Sequence, residues 1–220
     1  MRIIAGDFRG RKILKPVDIS TRPLKDMVRE SIFNILEHSK LTNIKLKNFN
    51  VLDLYSGVGS FGLECLSRGA KKVLFIEKHN PTLEILKKNI KTLNCEKKCQ
   101  IIENDVTKLK NFSEILSSKF NLIFLDPPFK DENINLIIDF IYDMKILDKK
   151  ALIIIHRNRE IKEKYHIKLN ELRIENYGKS KIIFSQLVDW FYKSIFLVSV
   201  LMSSTEGCVY GFISNNFPNK

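Results

Sequence analysis

The 220-residue chain has little cysteine, few acids in its opening stretch and no long apolar run. Each shortage excludes something. There are four cysteines, Cys65, Cys95, Cys99 and Cys208. Cys95 and Cys99 stand four apart without a second Cys/His pair at zinc spacing, so reduced thiols are expected, with no metal site. Met1-Arg2-Ile3-Ile4-Ala5-Gly6-Asp7 has no apolar h-region, so no signal peptide is expected. Trp190–Met202 is mostly apolar but interrupted by Lys193. It is too short for a bilayer, which needs about 20 residues. Acids number 25 against 37 Lys and Arg, a net charge of +12. Residues 1–50 carry eleven Lys/Arg and five Asp/Glu, a net +6, half of the whole excess. Such a clustered imbalance points to an anionic partner, nucleic acid above all.

What is present is an alternation. Arg2–Ala5 and Arg9–Leu14 flank Gly6-Asp7-Phe8 and predict a small basic hairpin. Thr21 is the expected N-cap of a helix with Pro23 in its first turn. Its apolar face runs through Met27, Val28, Ile32, Phe33, Ile35 and Leu36 to about residue 38. Strands are then expected at 51–55, 72–76, 100–103, 120–125 and 151–155, with helices at 60–68, 81–93, 112–116 and 133–144 between them. Segments 167–174 and 181–184 read as a closing hairpin, turning near Asn176-Tyr177-Gly178. The pattern predicts an α/β fold with a mostly parallel, doubly wound sheet and a C-terminal antiparallel hairpin. Residues 1–187 are expected to form one domain, with 1–48 as a basic hairpin and helix and 49–187 as the core. Residues 188–220, nearly without charge, form an extension of no assigned role.

Ser56-Gly57-Val58-Gly59-Ser60-Phe61-Gly62 follows the first core strand, and Glu77 closes the next. This fits a dinucleotide fingerprint. It fits an S-adenosylmethionine site equally, because both use one topology. Asp53 separates them. Its charge, just before the turn, opposes a pyrophosphate at the helix N-terminus and suits a sulfonium and an ammonium group. Gly57 and Gly59 let the backbone approach a ligand. Glu77 is placed to accept both ribose hydroxyls, and Asp105 to accept from the adenine amino group.

Asp126-Pro127-Pro128-Phe129 ends the fourth core strand. The Asp126 carboxylate and the Pro127 carbonyl can accept both N–H bonds of an aromatic amine and aim its lone pair. Phe129 can stack on the base. The turn resembles the D/N-P-P-Y/F motif of S-adenosylmethionine-dependent amino methyltransferases.

With Arg2-Ile3-Ile4-Ala5-Gly6, Arg9-Gly10-Arg11, Thr21-Arg22-Pro23, Val28-Arg29-Glu30 and Phe33-Asn34-Ile35-Leu36, the resemblance narrows to the RsmD family. Asp53 through Glu64, Ser67-Arg68-Gly69-Ala70 and the Asp126 turn continue it to about residue 185. Tyr55-Ser56-Gly57-Val58-Gly59 departs from the family's usual Phe-Ala-Gly-Ser-Gly but keeps both glycines. The resemblance implies a Rossmann-like methyltransferase fold and methyl transfer to N2 of one guanine in 16S rRNA of the small subunit. Arg2, Arg9, Arg11, Lys12 and Lys15 would meet phosphates. Arg22 and Arg29 would orient RNA or the cofactor carboxylate, or form ion pairs. A cytosolic monomer is expected, with an adenine-N6 methyltransferase or a noncatalytic RNA-binding assembly factor as alternatives.

Overall fold

The computed structural model describes residues 1–16, 24–40, 44–108, 119–161, 163–165 and 168–187. The expected helix at 112–116, the Thr21 cap, Pro23, Arg22 and the extension at 188–220 lie outside them. Met1–Leu187 forms one unit.

The elements alternate as α1 (Asp26–His38), β1 (Asn50–Leu54), α2 (Ser60–Ser67), β2 (Lys72–Glu77), α3 (Asn80–Leu93), β3 (Cys99–Glu103), β4 (Phe120–Leu125), α4 (Ile134–Asp143), β5 (Leu147–Asn158), β6 (Leu169–Tyr177) and β7 (Ser180–Leu187). One sheet holds all seven strands in the order β3-β2-β1-β4-β5-β7-β6. Pairings from β3 through β5 are parallel, and both pairings of β7 are antiparallel. The closing hairpin thus places its second strand inside the sheet and its first at the edge.

Alternation along the strands feeds two cores. Val51, Leu122, Phe124, Leu152 and Ile154 pack under α1, α2 and α3. Leu52, Leu54, Ile123, Leu125, Ile153 and Ile155 face the other way, against Ile137, Ile138 and Ile141 of α4. Both faces of the central strands are therefore dry, which is why β1, β2, β4 and the second half of β5 read as nearly continuous apolar runs. Phe61 stacks between Phe33 and Phe124, with ring centroids 5.1 and 4.0 Å away.

Helix α1 begins three residues beyond Pro23, with Lys25 at its N-cap and no side-chain cap. Val28, Ile32, Ile35 and Leu36 make its buried stripe. Met27 stands one residue off that stripe, roughly 100° around the helix, and is 65% exposed.

The N-terminal hairpin forms around an antiparallel bridge from Arg2 to Lys12, with Ile3 N donating to the Arg11 carbonyl at 3.0 Å, Gly10 N to that of Ile3 at 2.9 Å and Ile13 N to that of Met1 at 3.1 Å. Other amides of the same segment reach α2. The Ile4 and Ala5 amides donate to the buried Glu64 carboxylate at 2.8 and 3.0 Å. Asp7 N donates to the Ser67 carbonyl at 2.8 Å, and Phe8 N to Ser67 Oγ at 2.9 Å. Docking on α2 adds to the pairing within the hairpin. Gly6 makes the close approach possible: its φ is +80°, and a Cβ there would lie 1.8 Å from the Ser67 carbonyl oxygen.

Candidate active site

Strands β1 to β5 end on one edge of the sheet, and a cleft of about 410 Å³ opens there. It straddles β1 and β4, where the strand order reverses, the usual ligand position in an open α/β sheet. Asp53, Gly57, Glu77, Asp126, Pro127 and Phe129 all line it. The structure thus gathers, from three strand ends, residues to which the sequence assigns two separate roles.

The glycine turn is built by backbone freedom. Tyr55, Gly57 and Gly59 have φ of 58°, 55° and 83°. A Cβ on Gly59 would lie 2.4 Å from Leu86 of α3, so Gly59, which does not line the cleft, lets the turn pack on α3. Asp53 is buried and accepts from Gly62 N at 2.9 Å, tying β1 to α2. Burial holds its pKa well above the usual carboxylate value, and the charges of Asp126 and Glu77 add to this against the lowering effect of the Gly62 bond. Glu77 accepts from the amides of Gly57 (2.8 Å), Lys78 (2.9 Å) and His79 (2.9 Å), so it fixes the glycine turn from the end of β2.

Asp105 is placed differently from the adenine role expected of it. Its carboxylate accepts from the amide and hydroxyl of Thr107 at 2.9 and 2.8 Å and pairs with Lys78 at 2.9 Å. Burial opposes ionisation, but these bonds outweigh it and hold the pKa at about 2. Its neighbours Asn104 and Val106 line the cleft instead.

The Asp126 turn is held from two strands. Asp126 Oδ1 meets Nδ1 of His156, at the end of β5, at 2.7 Å. The edge of Phe129 faces the same imidazole, with centroids 5.7 Å apart at 81°. Arg157, the next residue, is buried and donates to the carbonyls of Pro128 at 3.1 Å and Asp131 at 2.7 Å. Its guanidinium Nε is neutralised by Glu163 at 2.8 and 3.0 Å. From β1, the Tyr55 hydroxyl donates to Asp131 Oδ2 at 2.8 Å. Sequence reasoning misses His156 and Arg157. A His-Arg pair closing the apolar run at 151–155 is the available signal, because residues closing a parallel strand fall at the cleft edge.

The basic residues separate into two groups. Arg2, Arg9, Lys12 and Lys15 are exposed. Arg11 turns inward, donating to the Leu93 and Thr92 carbonyls at the end of α3. Arg29 is fully buried, which fits the ion-pair alternative rather than contact with RNA. It pairs with Asp26 at 3.0 Å and lies 3.9 Å from Glu64, and it donates to the Arg2 carbonyl at 2.6 Å. Desolvation lowers its pKa, against the pull of both acids.

Chemically, the cleft offers a fixed carboxylate beside an aromatic ring and an apolar wall at Phe124, Ile76 and Val106. Glu77 supplies carboxyl oxygens beside the glycine turn, and the buried Asp53 carboxyl lies behind it. This donor set fits a cationic nucleoside cofactor better than a phosphate-bearing one.

The comparisons with known proteins agree with this chemistry. A family model described as Conserved hypothetical protein 95 matches residues 1–186. The ribosomal RNA small subunit methyltransferase D of Haemophilus influenzae is 34% identical over 162 residues, 73% of this chain and 80% of its own length. The protein of the same name from Buchnera aphidicola subsp. Acyrthosiphon pisum is 32% identical over 158 residues, 72% and 78%. Among solved structures, yhhF of Escherichia coli superposes with a TM-score of 0.68 at 28% identity, covering 85% of this chain and 97% of its own.

Proposed function

The chain belongs to the RsmD family of rRNA methyltransferases, and from that premise we propose that it methylates the exocyclic N2 of one guanine in 16S rRNA of the small ribosomal subunit. S-adenosylmethionine is the methyl donor and supplies a methyl group activated by a sulfonium. The observation that carries the reading is the placement of Asp126, anchored at the mouth of the cleft beside the glycine turn.

The chain's own residues divide the work. Gly57 and Gly59 form the turn against which the methionine part of the donor lies, with Asp53 beneath it. Glu77 receives the ribose hydroxyls, exchanging backbone partners for them. Asp126 and the Pro127 carbonyl accept the two N–H bonds of the amine, which turns its lone pair toward the methyl carbon. Phe129 stacks on the base, an interaction worth about 1–3 kcal/mol. The guanine enters unstacked or single-stranded, since a paired base hides its amino group. Exposed Arg2, Arg9, Lys12 and Lys15 meet phosphates, and Arg22, outside the described residues, is assigned to RNA with them. The enzyme works as a cytosolic monomer.

The test is transfer of labelled methyl to small subunits lacking the modification, beside naked 16S rRNA, DNA and protein, with nucleoside analysis. N2-methylguanosine from subunits is the expected product. N6-methyladenosine would keep the chemistry and replace the substrate, whereas tight RNA binding without transfer would leave a noncatalytic assembly factor.

A further inference from the structure

We propose that His156 is a positioning residue for Asp126: its Nδ1–H locks one carboxylate oxygen, so that the other alone receives the substrate amine. The proposal rests on the methyl-transfer reading above.

Three observations carry it. First, an ionised carboxylate only accepts hydrogen bonds, so at 2.7 Å the proton of the contact belongs to His156 Nδ1. Secondly, Nε2 of the same ring is buried and has no hydrogen-bond partner among the described residues. A buried N–H of a charged ring without a partner is far more costly than a bare lone pair. The ring is therefore the neutral Nδ1–H tautomer. Thirdly, His156 sits on an interior strand. Its neighbour Ile155 is in register with Leu125, the residue before Asp126, and His156 itself is in register with Ile182 of β7. The donor is thus fixed to the strand that neighbours its acceptor.

The need for such a donor follows from Asp126 itself. The terminal torsion of an aspartate is broad and roughly two-fold, so a free carboxylate at a strand end swings through many orientations. Its side chain is 19% exposed, which leaves room for that motion. With Oδ1 held, Oδ2 presents one defined acceptor. As the amine nitrogen forms its bond to the methyl carbon, the carbon–sulfur bond breaks and its electron pair goes to sulfur, giving a neutral thioether; nitrogen becomes positively charged, and one N–H proton passes to Oδ2. The electron pair of that N–H bond returns to nitrogen, leaving a neutral methylamine and a neutral carboxylic acid. The proton stays on Asp126 until product leaves and water reaches it. It does not pass through His156, because Nε2 has no partner among the described residues to receive it onward.

The experiment compares His156→Leu, His156→Asn and wild type, with binding of S-adenosylmethionine and thermal melting measured on each. The Asn side-chain amide retains a donor near the place of Nδ1. His156→Leu is expected to lower kcat about 100-fold with donor affinity unchanged, and His156→Asn to restore most of the loss. In parallel, imidazole ¹⁵N spectra of the ligand-free wild type are expected to show Nδ1 protonated and Nε2 bare. Equal loss in Leu and Asn variants that both melt as wild type, or full activity in His156→Leu, overturns the proposal. So does a spectrum with a proton on Nε2. If His156→Leu does not fold, the spectrum and the Asn variant decide. If wild type transfers no methyl to guanine, the functional reading fails while the spectrum still judges the pair.

Discussion

Asp126 concentrates the chemistry in one side chain. Asp126→Ala is expected to lower transfer about 10²–10⁴-fold and to leave equilibrium binding of S-adenosylmethionine nearly intact; wild-type turnover would remove it from the mechanism. Asp53 carries the opposite tension. Its folded pKa is raised by burial, so the folded state retains a proton that the unfolded chain releases at about 3.9. Stability therefore falls as pH rises above that value, until the folded pKa is passed. Asp53→Asn keeps an acceptor for Gly62 N and removes the charge. Its melting temperature is expected to exceed wild type at neutral pH and to converge with it below about pH 4, while donor affinity drops. Denaturation across pH, with titration of the donor, checks both. Glu77 and Asp126 are legible in the sequence because each closes an apolar run, and Asp53 because it lies just before the glycine turn. For Arg29 the sequence leaves a binding role and an ion pair both open, and burial beside Asp26, Glu64 and the Arg2 carbonyl decides for the ion pair.

At the scale of elements, the docking of the first eight residues on α2 explains why separated sequence blocks occur together. Arg2 through Gly6, Glu64 and Ser67-Arg68 are the two sides of one interface. Arg68 completes it, pairing with Glu64 at 2.9 Å and with Glu37 of α1 at 2.9 Å. Gly6→Ala is expected to destabilise by about 2–5 kcal/mol, because overpacking against Ser67 adds to backbone strain. Gly10 has the same φ of +80° but nothing within 4 Å of an added Cβ. Gly10→Ala should cost only about 1 kcal/mol. Equal melting of the two variants would show that the approach to Ser67 is loose. Core strands and helices are readable to within a few residues, since apolar runs and glycine stops mark them. The N-terminal hairpin is readable too, but its docking on α2 is not, because those partners lie sixty residues away along the chain (Ile4 to Glu64).

On the scale of the molecule, charge and chain order matter most. Replacing Arg9 and Lys12 with Ala should weaken RNA binding and reduce the slope of log affinity on log salt by about 0.7–0.9 for each phosphate no longer neutralised. Arg29→Ala should leave that slope unchanged and destabilise the fold by about 3 kcal/mol, through the cavity left by a fully buried side chain and the loss of its bonds to Asp26 and the Arg2 carbonyl. Filter binding over a salt series distinguishes the two. Deleting residues 188–220 is expected to leave methyl transfer intact, and an insoluble product would make the extension part of the core. The sheet order has a consequence for synthesis. Strand β7 is made after β6, yet it lies between β6 and β5. Until Ser180–Leu187 leaves the ribosome, the apolar flank of β5 is an open edge, ready to pair with any other chain. A stop codon or a protease cut just before β7 would therefore yield an aggregation-prone fragment with a misplaced His156 rather than a slightly shorter enzyme.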